Sequence, residues 1–244
     1  MSEIESSQQV SIMREGGVLT FMLNNPDAGN EITGPMFSAM ISALQAEITA
    51  PSARILRIKA VGKVFCTGRE RAGRDAVAIH LEVSRLMELK RLLRASPLIT
   101  IAEIQGNAFG FGFGLGILCD FTLVSSAAGL AFPEMRKGLP PAAIMAYLGR
   151  YALPKKIFPM VLFGEAIDLA TALDAGLISQ ICAPEQLQGD ADRLVGKLLE
   201  LDEVGARQCK QFFQAAEENT IEQNFRCATE ALTVSSLRLM QRPS

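Results

Sequence analysis

The amino-acid sequence predicts an α/β fold, because strand-like and helix-like segments alternate over roughly the first 130 residues and helix-like segments dominate the rest. With 244 residues, 49% of them hydrophobic, the chain can bury one sizeable core and is short for two full-sized domains. We therefore expect a single domain over 1–244, with a coiled βα core at about 10–185 and a helical region at about 186–244.

The first half of the chain begins with two strand-like segments around a Gly-Gly turn, which predicts a hairpin. A turn-rich loop then leads to a helix that Thr33 can cap, since threonine is a favoured residue before a first helical turn. A glycine-punctuated basic loop lies between the next strand and the next helix. The elements predicted here are strands at 10–13, 17–23, 53–62 and 98–104, and helices at 35–49 and 77–94.

The second half has a different pattern, with few strand signals and many apolar residues at helical spacing. Strands are predicted at 121–125, 129–132 and 176–182, and helices at 141–151, 154–162, 166–176, 184–201, 203–215 and 217–241.

Composition excludes several classes of function. A net charge of −2 offers no electrostatic attraction for nucleic acid or an anionic membrane. The uncharged stretch Ile104–Cys119 is 16 residues long, short of the roughly 18–20 that a membrane span needs. The polar N-terminus does not resemble a signal peptide, and the five scattered cysteines are typical of reduced thiols, so we expect a cytoplasmic protein. The chain has one histidine, His80, on a predicted helix, which argues against a multi-histidine metal site.

The segment 106–120, GNAFGFGFGLGILCD, has glycine at every second position from 110 to 116. Its spacing matches neither the dinucleotide fingerprint nor the phosphate-binding P-loop. It predicts a turn at Gly106 and a glycine-rich start to a helix of about two turns. Free N–H groups at such a helix start can hold an oxyanion, whereas small residues can equally serve close packing, and both interpretations stay open on these grounds.

Three motifs in order, FCTGRE at 65–70, the segment at 104–120 and AFPEMRKGLPP at 131–141, resemble the crotonase, or enoyl-CoA hydratase/isomerase, superfamily. LNNPDAGNEIT near the N-terminus and EAIDLATALDAGLISQIC at 165–182 also resemble segments of that family. The resemblance extends over roughly residues 10–235 and implies a crotonase fold, a spiral of ββα units with a helical C-terminal region used in oligomerisation.

The resemblance implies binding of an acyl-CoA thioester whose oxygen is held by two backbone N–H groups, here those of Arg69 and Phe111. Hydratases of this family use two glutamates, and the position of the second falls on Glu134. The position of the first falls on Gly114, so one carboxylate of the pair is absent. Glu134 alone can take a proton from one carbon and return it to another, which favours isomerisation of a double bond over addition of water.

The resemblance also implies a set of residues near the substrate and its CoA, and no cofactor beyond the CoA of that substrate. Arg69 and Arg74 are further candidates for the CoA phosphates, and Phe132 for the acyl pocket, where core packing is the alternative. The set consists of Lys63, Cys66, Gly68, Arg71, Gly110, Gly112, Phe113 and Gly114.

The family implies a homotrimer or a dimer of trimers. Isomerisation of an enoyl-CoA is the favoured reaction, while hydration, decarboxylation and thioester hydrolysis at the same site remain alternatives. A non-catalytic acyl-CoA-binding subunit is a further alternative, because Gly114 replaces a carboxylate.

Overall fold

A computed structural model describes residues 5–7 and 9–241 of the chain. It divides into two compact units, one up to Val195 and one from Gly196 onward. The predicted single domain over 1–244 stays a prediction. No helix in the described ranges is long and apolar enough to cross a membrane.

The first unit contains short strands and helices in alternation, and the second is helical. In the described residues the strands are β1 (Glu5–Ser7), β2 (Val10–Glu15), β3 (Val18–Leu23), β4 (Ile55–Ala60), β5 (Val64–Cys66), β6 (Ile99–Ile104), β7 (Asn107–Phe109), β8 (Phe121–Ser125), β9 (Leu130–Ala131), β10 (Ala166–Ile167) and β11 (Gln180–Cys182). The α-helices are α1 (Gly34–Thr49), α2 (Ala76–Ala95), α3 (Phe111–Ile117), α4 (Ala142–Leu148), α5 (Pro154–Phe163), α6 (Leu169–Asp174), α7 (Leu187–Glu200), α8 (Glu203–Ala216) and α9 (Ile221–Met240).

Two sheets form the core of the first unit. The larger sheet has the order β1-β2-β3-β4-β6-β8-β11, antiparallel from β1 to β3 and parallel from there on. The smaller sheet has the order β10-β9-β7-β5, in which β5, β7 and β9 run parallel. Successive pairs of strands, β4 with β5, β6 with β7 and β8 with β9, each contribute one strand to each sheet, which confirms the predicted α/β spiral of ββα units.

The predicted elements of the larger sheet agree closely with the structure, because their strands are six-residue apolar or alternating runs that bury one face or both. The hairpin is present as β2 and β3, and 121–125 is β8 without any change of bounds. The predictions omitted β1, β5, β7 and β10, which have two or three residues each, because a strand so short carries no readable periodicity. The predicted helix at 166–176 is wrong at its start, since β10 lies there and α6 spans only Leu169–Asp174.

Thr33 lies at the N-cap of α1 with extended backbone, as predicted, but its side chain makes no capping hydrogen bond. The Thr33 hydroxyl instead donates to Oε1 of Gln9 at 2.8 Å. The predicted capping bond is therefore wrong, since a tertiary partner competes for the hydroxyl.

Candidate active site

Three parallel strands of the smaller sheet bring the predicted site residues to one edge. Arg69 lies three residues beyond the end of β5, Phe111 two residues beyond β7, and Glu134 three residues beyond β9. The carboxyl ends of parallel strands lie at the same edge of a sheet. Arg69 and Glu134, which are 65 positions apart in the chain, therefore lie at the same edge.

The loop that carries Arg69 is held by the turn-rich segment before α1. The N–H of Thr67 donates to Gly29 O at 3.0 Å, the N–H of Ile32 donates to Gly68 O at 3.2 Å, and the N–H of Glu70 donates to Ile32 O at 3.0 Å. These bonds involve the amides on both sides of Arg69 and leave its own N–H without an acceptor among the described residues. Gly68 has a φ of +152°, a conformation that side-chain-bearing residues rarely adopt.

The second backbone donor lies at the start of α3. Phe111 is the first helical residue, so its N–H has no intrahelical partner, and the described residues offer it no other acceptor. Gly110 precedes it with a φ of +51°, which turns the chain from β7 into the helix. Gly112 serves packing, because a Cβ there would lie 2.1 Å from the Cys66 carbonyl oxygen. The packing interpretation of the glycine-rich segment therefore applies at Gly112, and the oxyanion interpretation stays a prediction that the position of the Phe111 N–H allows.

The Glu134 carboxylate lies against the start of α3, on a 3-10 turn that spans Pro133–Lys137. A Cβ added to Gly110 would lie 2.5 Å from its Oε1, so glycine is required for this approach. Its Oε2 is buried and has no hydrogen-bond partner in the described part of the chain. Burial raises the pKa of Glu134, and the charges of Lys90, Arg71 and Lys137 oppose that rise.

A cavity of about 530 Å³ lies in front of these groups. Gly68, Arg69, Gly110, Phe111 and Glu134 all line it. Apolar side chains of α2 form one wall and exposed basic side chains stand at the rim, which suits an acyl chain with an anionic end. The apolar wall consists of Ile79, Val83 and Leu86, and the basic residues are Arg71, Arg74 and Lys137.

Sequence reasoning missed Lys90, which lines the same cavity from α2 and is 3% exposed. Its Nζ donates to Ala143 O at 3.0 Å and to Tyr147 Oη at 3.1 Å, and Tyr147 Oη donates to Gly114 O at 2.8 Å. Burial lowers the pKa of Lys90 to about 7, against the opposing effect of the Glu134 charge. The helical period of α2 predicts that position 90 is buried, and a lysine is rarely buried. That mismatch is the signal by which the sequence could have indicated Lys90.

Several other residues of the predicted substrate-binding set do not line the cavity. The Cys66 thiol is buried, donates to Gly68 O at 3.2 Å, and has its pKa raised by burial to about 12, so it is an inert packing group. Phe113 is fully buried and stacks on Phe132 with ring centroids 5.1 Å apart, so core packing accounts for both rings.

Lys63 is exposed and does not line the cavity, and neither does Gly112 or Gly114. The side chain of Arg69 forms an ion pair with Glu82. His80 is exposed on α2. Glu134 does not cap the following helix, whose N-cap residue is Pro141.

Comparisons with known proteins show the family of this chain. A family model described as enoyl-CoA hydratase/isomerase matches residues 13–236. Enoyl-CoA hydratase domain-containing protein 3, mitochondrial, of Xenopus laevis is 30% identical over 202 residues, which cover 81% of this chain and 68% of that protein. Trans-2-decenoyl-[acyl-carrier-protein] isomerase of Streptococcus mutans is 24% identical over 192 residues, 75% of this chain and 73% of that protein.

A solved structure of a putative enoyl-CoA hydratase from Thermobifida fusca in complex with CoA superimposes with a TM-score of 0.87. It is 25% identical and covers 96% of this chain and 95% of its own. The match to enoyl-CoA hydratase domain-containing protein 3, mitochondrial, of Rattus norvegicus spans 65% of the length of that protein.

Proposed function

Since the chain belongs to the enoyl-CoA hydratase/isomerase family, we propose that it moves the double bond of an enoyl-CoA, with Glu134 as the group that carries the proton. One observation carries this proposal: Glu134, which has a buried carboxylate oxygen, lines the same cavity as Arg69 and Phe111, and within the described residues neither that oxygen nor the two backbone N–H groups have a hydrogen-bond partner. A base and an oxyanion hole are the two parts that enolate chemistry needs.

In the proposed reaction the thioester oxygen accepts hydrogen bonds from the N–H groups of Arg69 and Phe111. The Glu134 carboxylate takes a proton from the α-carbon of a β,γ-unsaturated acyl group, and the electrons move onto the thioester oxygen as an enolate. Glu134 then returns the proton to the γ-carbon, so that the double bond becomes α,β and Glu134 is a carboxylate again. The apolar surroundings that raise its pKa make it a stronger base than an exposed glutamate.

The substrate class rests on the cavity and on two relatives. The basic residues Arg71, Arg74 and Lys137 at the rim suit the CoA phosphates, and the solved relative from Thermobifida fusca contains CoA. The Streptococcus mutans relative is named trans-2-decenoyl-[acyl-carrier-protein] isomerase, which favours an isomerisation by proton transfer in this chain.

We further propose a homotrimer or dimer of trimers, supported by exposed apolar side chains on α9 such as Phe225 and Leu232. The cytoplasmic location stays a prediction from the sequence, and the Xenopus laevis relative has mitochondrial in its name.

The test is Glu134→Gln, which keeps the shape of the side chain and removes the base. On a panel of β,γ-enoyl-CoAs of different chain lengths, we expect isomerisation to fall by ~100-fold or more while CoA binding is retained. Glu165→Gln, an exposed glutamate outside the cavity lining, is the matched control and keeps full activity. CoA binding by the unaltered protein without turnover on any member of the panel would overturn the isomerase function, and CoA binding without turnover on α,β-enoyl-CoAs as well would show a non-catalytic subunit instead.

A further inference from the structure

Lys90 and Tyr147 occupy the space beside Gly114, where the family resemblance leads us to expect a carboxylate. A Cβ added to Gly114 would lie 2.5 Å from Tyr147 Oη and 3.4 Å from Lys90 Nζ. The second distance is of the size that separates the Cβ of a glutamate from its own carboxylate oxygens. The missing side chain of Gly114 therefore makes room for the Tyr147 hydroxyl, which in turn accepts a hydrogen bond from the Lys90 amine.

The hydrogen bonds of Lys90 leave it suited to accept a proton. A neutral amine has two N–H donors and one lone pair. The two acceptors observed, Ala143 O at 3.0 Å and Tyr147 Oη at 3.1 Å, match the two donors of that form. The Tyr147 hydroxyl donates its own hydrogen bond to Gly114 O at 2.8 Å, so its oxygen acts as the acceptor for the Lys90 amine. The lone pair of Lys90, on the cavity wall, remains available.

We propose that Lys90 is a second catalytic residue of this cavity, whose neutral amine activates water for addition to an α,β-enoyl-CoA, so that the protein is also a hydratase. This inference rests on the proposed function, since it uses the same enoyl-CoA site, the same two backbone donors and Glu134.

The atoms and electrons of the step balance. Lys90 takes one proton from water while the water oxygen bonds to the β-carbon. The electrons of the double bond move onto the thioester oxygen, and the resulting enolate is held by the N–H groups of Arg69 and Phe111. Protonated Glu134 gives its proton to the α-carbon, and the 3-hydroxyacyl-CoA leaves. The ammonium of Lys90 then passes its proton to the Glu134 carboxylate through water in the cavity, which restores both groups.

The charges around the two groups support this assignment of roles. Burial lowers the pKa of Lys90 to about 7 and raises the pKa of Glu134, so at each group it favours the neutral form that the step uses. The rings of Phe111 and Tyr147, with centroids 5.3 and 4.7 Å from Nζ, stabilise the ammonium once it has formed.

The experiment compares two reactions in each protein. Hydration is measured by incorporation of water oxygen from ¹⁸O-labelled water into α,β-enoyl-CoAs, and isomerisation is measured on β,γ-enoyl-CoAs of the same chain lengths. Lys90→Met keeps the length of the side chain and removes the amine. Lys90→Arg carries a permanent positive charge and has no lone pair to offer. Lys156→Met, an exposed lysine on α5 outside the cavity lining, is the control.

We expect the unaltered protein and Lys156→Met to hydrate, and we expect the ratio of hydration to isomerisation to fall by ~100-fold or more in Lys90→Met. Lys90→Arg should remain as inactive in hydration as Lys90→Met, and circular dichroism should show both variants folded. No hydration by the unaltered protein despite isomerisation, an unchanged ratio in folded Lys90→Met, or hydration retained in Lys90→Arg would each overturn the role of Lys90. Absence of isomerisation with hydration intact would overturn only the proposed isomerase function.

Discussion

Replacing Gly114 by alanine tests whether Tyr147 and Lys90 fill the space beside α3. The new Cβ would lie 2.5 Å from Tyr147 Oη, closer than real Cβ contacts, and 3.1 Å from a side-chain carbon of Ile144. Tyr147 must therefore move or stay under strain. If it moves, its hydrogen bonds to Gly114 O and from Lys90 are lost.

The expected cost follows from competing effects. A strained Tyr147 costs about 1–3 kcal/mol through overpacking, while a displaced one loses two hydrogen bonds worth about 1 kcal/mol each. Alanine in a helix interior is about 1 kcal/mol more favourable than glycine, which offsets part of this cost. The free energy of unfolding should therefore fall by about 1 kcal/mol if Tyr147 is displaced and by up to about 2 kcal/mol if it stays under strain, and a fall of about 1–2 kcal/mol corresponds to a loss of roughly 2–8 °C in melting temperature for a chain of this size.

The assay is a double-mutant cycle with Tyr147→Phe, measured by urea unfolding at one protein concentration. Without the hydroxyl the clash is relieved, so Gly114→Ala should become neutral or stabilising by up to about 1 kcal/mol. Gly196→Ala is the matched control, since Gly196 lies in α7 with open space around it and should show the helical gain alone. A Gly114→Ala variant as stable as the parent, or equal effects in both backgrounds, would refute the arrangement.

Three further changes test the rest of the site. Phe111→Pro removes the backbone N–H donor at a first helical position, which tolerates proline, and Phe111→Ala removes the same ring but keeps the donor. The kcat for isomerisation should be about 10²–10³-fold lower in the proline variant than in the alanine variant. Equal kcat values in the two variants would show that the Phe111 N–H is not part of the oxyanion hole. Gly110→Ala puts a Cβ 2.5 Å from Glu134 Oε1 at a φ of +51°, so isomerisation should fall about 10²-fold, and full activity in a folded variant would contradict the placement of Glu134. Isomerisation requires the Glu134 carboxylate, so kcat should decline as pH falls through the raised pKa of Glu134; a decline only below pH 4.5, the ordinary value for this group, would contradict that rise.

The long elements of the fold were readable because each carries enough residues to show a period. β3 alternates buried and partly buried residues along Val18–Leu23, and α2 shows a helical period over 20 residues. The short strands β5 and β7 have no such signal, although they position the oxyanion donors. Their pairing depends on neighbours distant in the chain, and local sequence does not report such neighbours.

The candidate site likewise has some residues that the sequence identifies and others that it does not. Arg69, Phe111 and Glu134 lie in motifs that resemble a known family, so their positions could be named from the sequence. Gly114 could be recognised as the place of a missing carboxylate, but a glycine gives no sign of what occupies the room it leaves.

The residues by themselves determined the α/β class and the family, and they gave the chain positions that we propose for the proton carrier and its two backbone donors. The tertiary structure alone decided that Lys90 of α2 and Tyr147 of α4 meet beside Gly114, and that the buried Lys90 lines the same cavity as Glu134. The physical reason is that a motif records the order of residues along one segment. The pKa of an amine depends instead on the solvent excluded and the charges gathered around it by other segments, and folding alone brings those segments together.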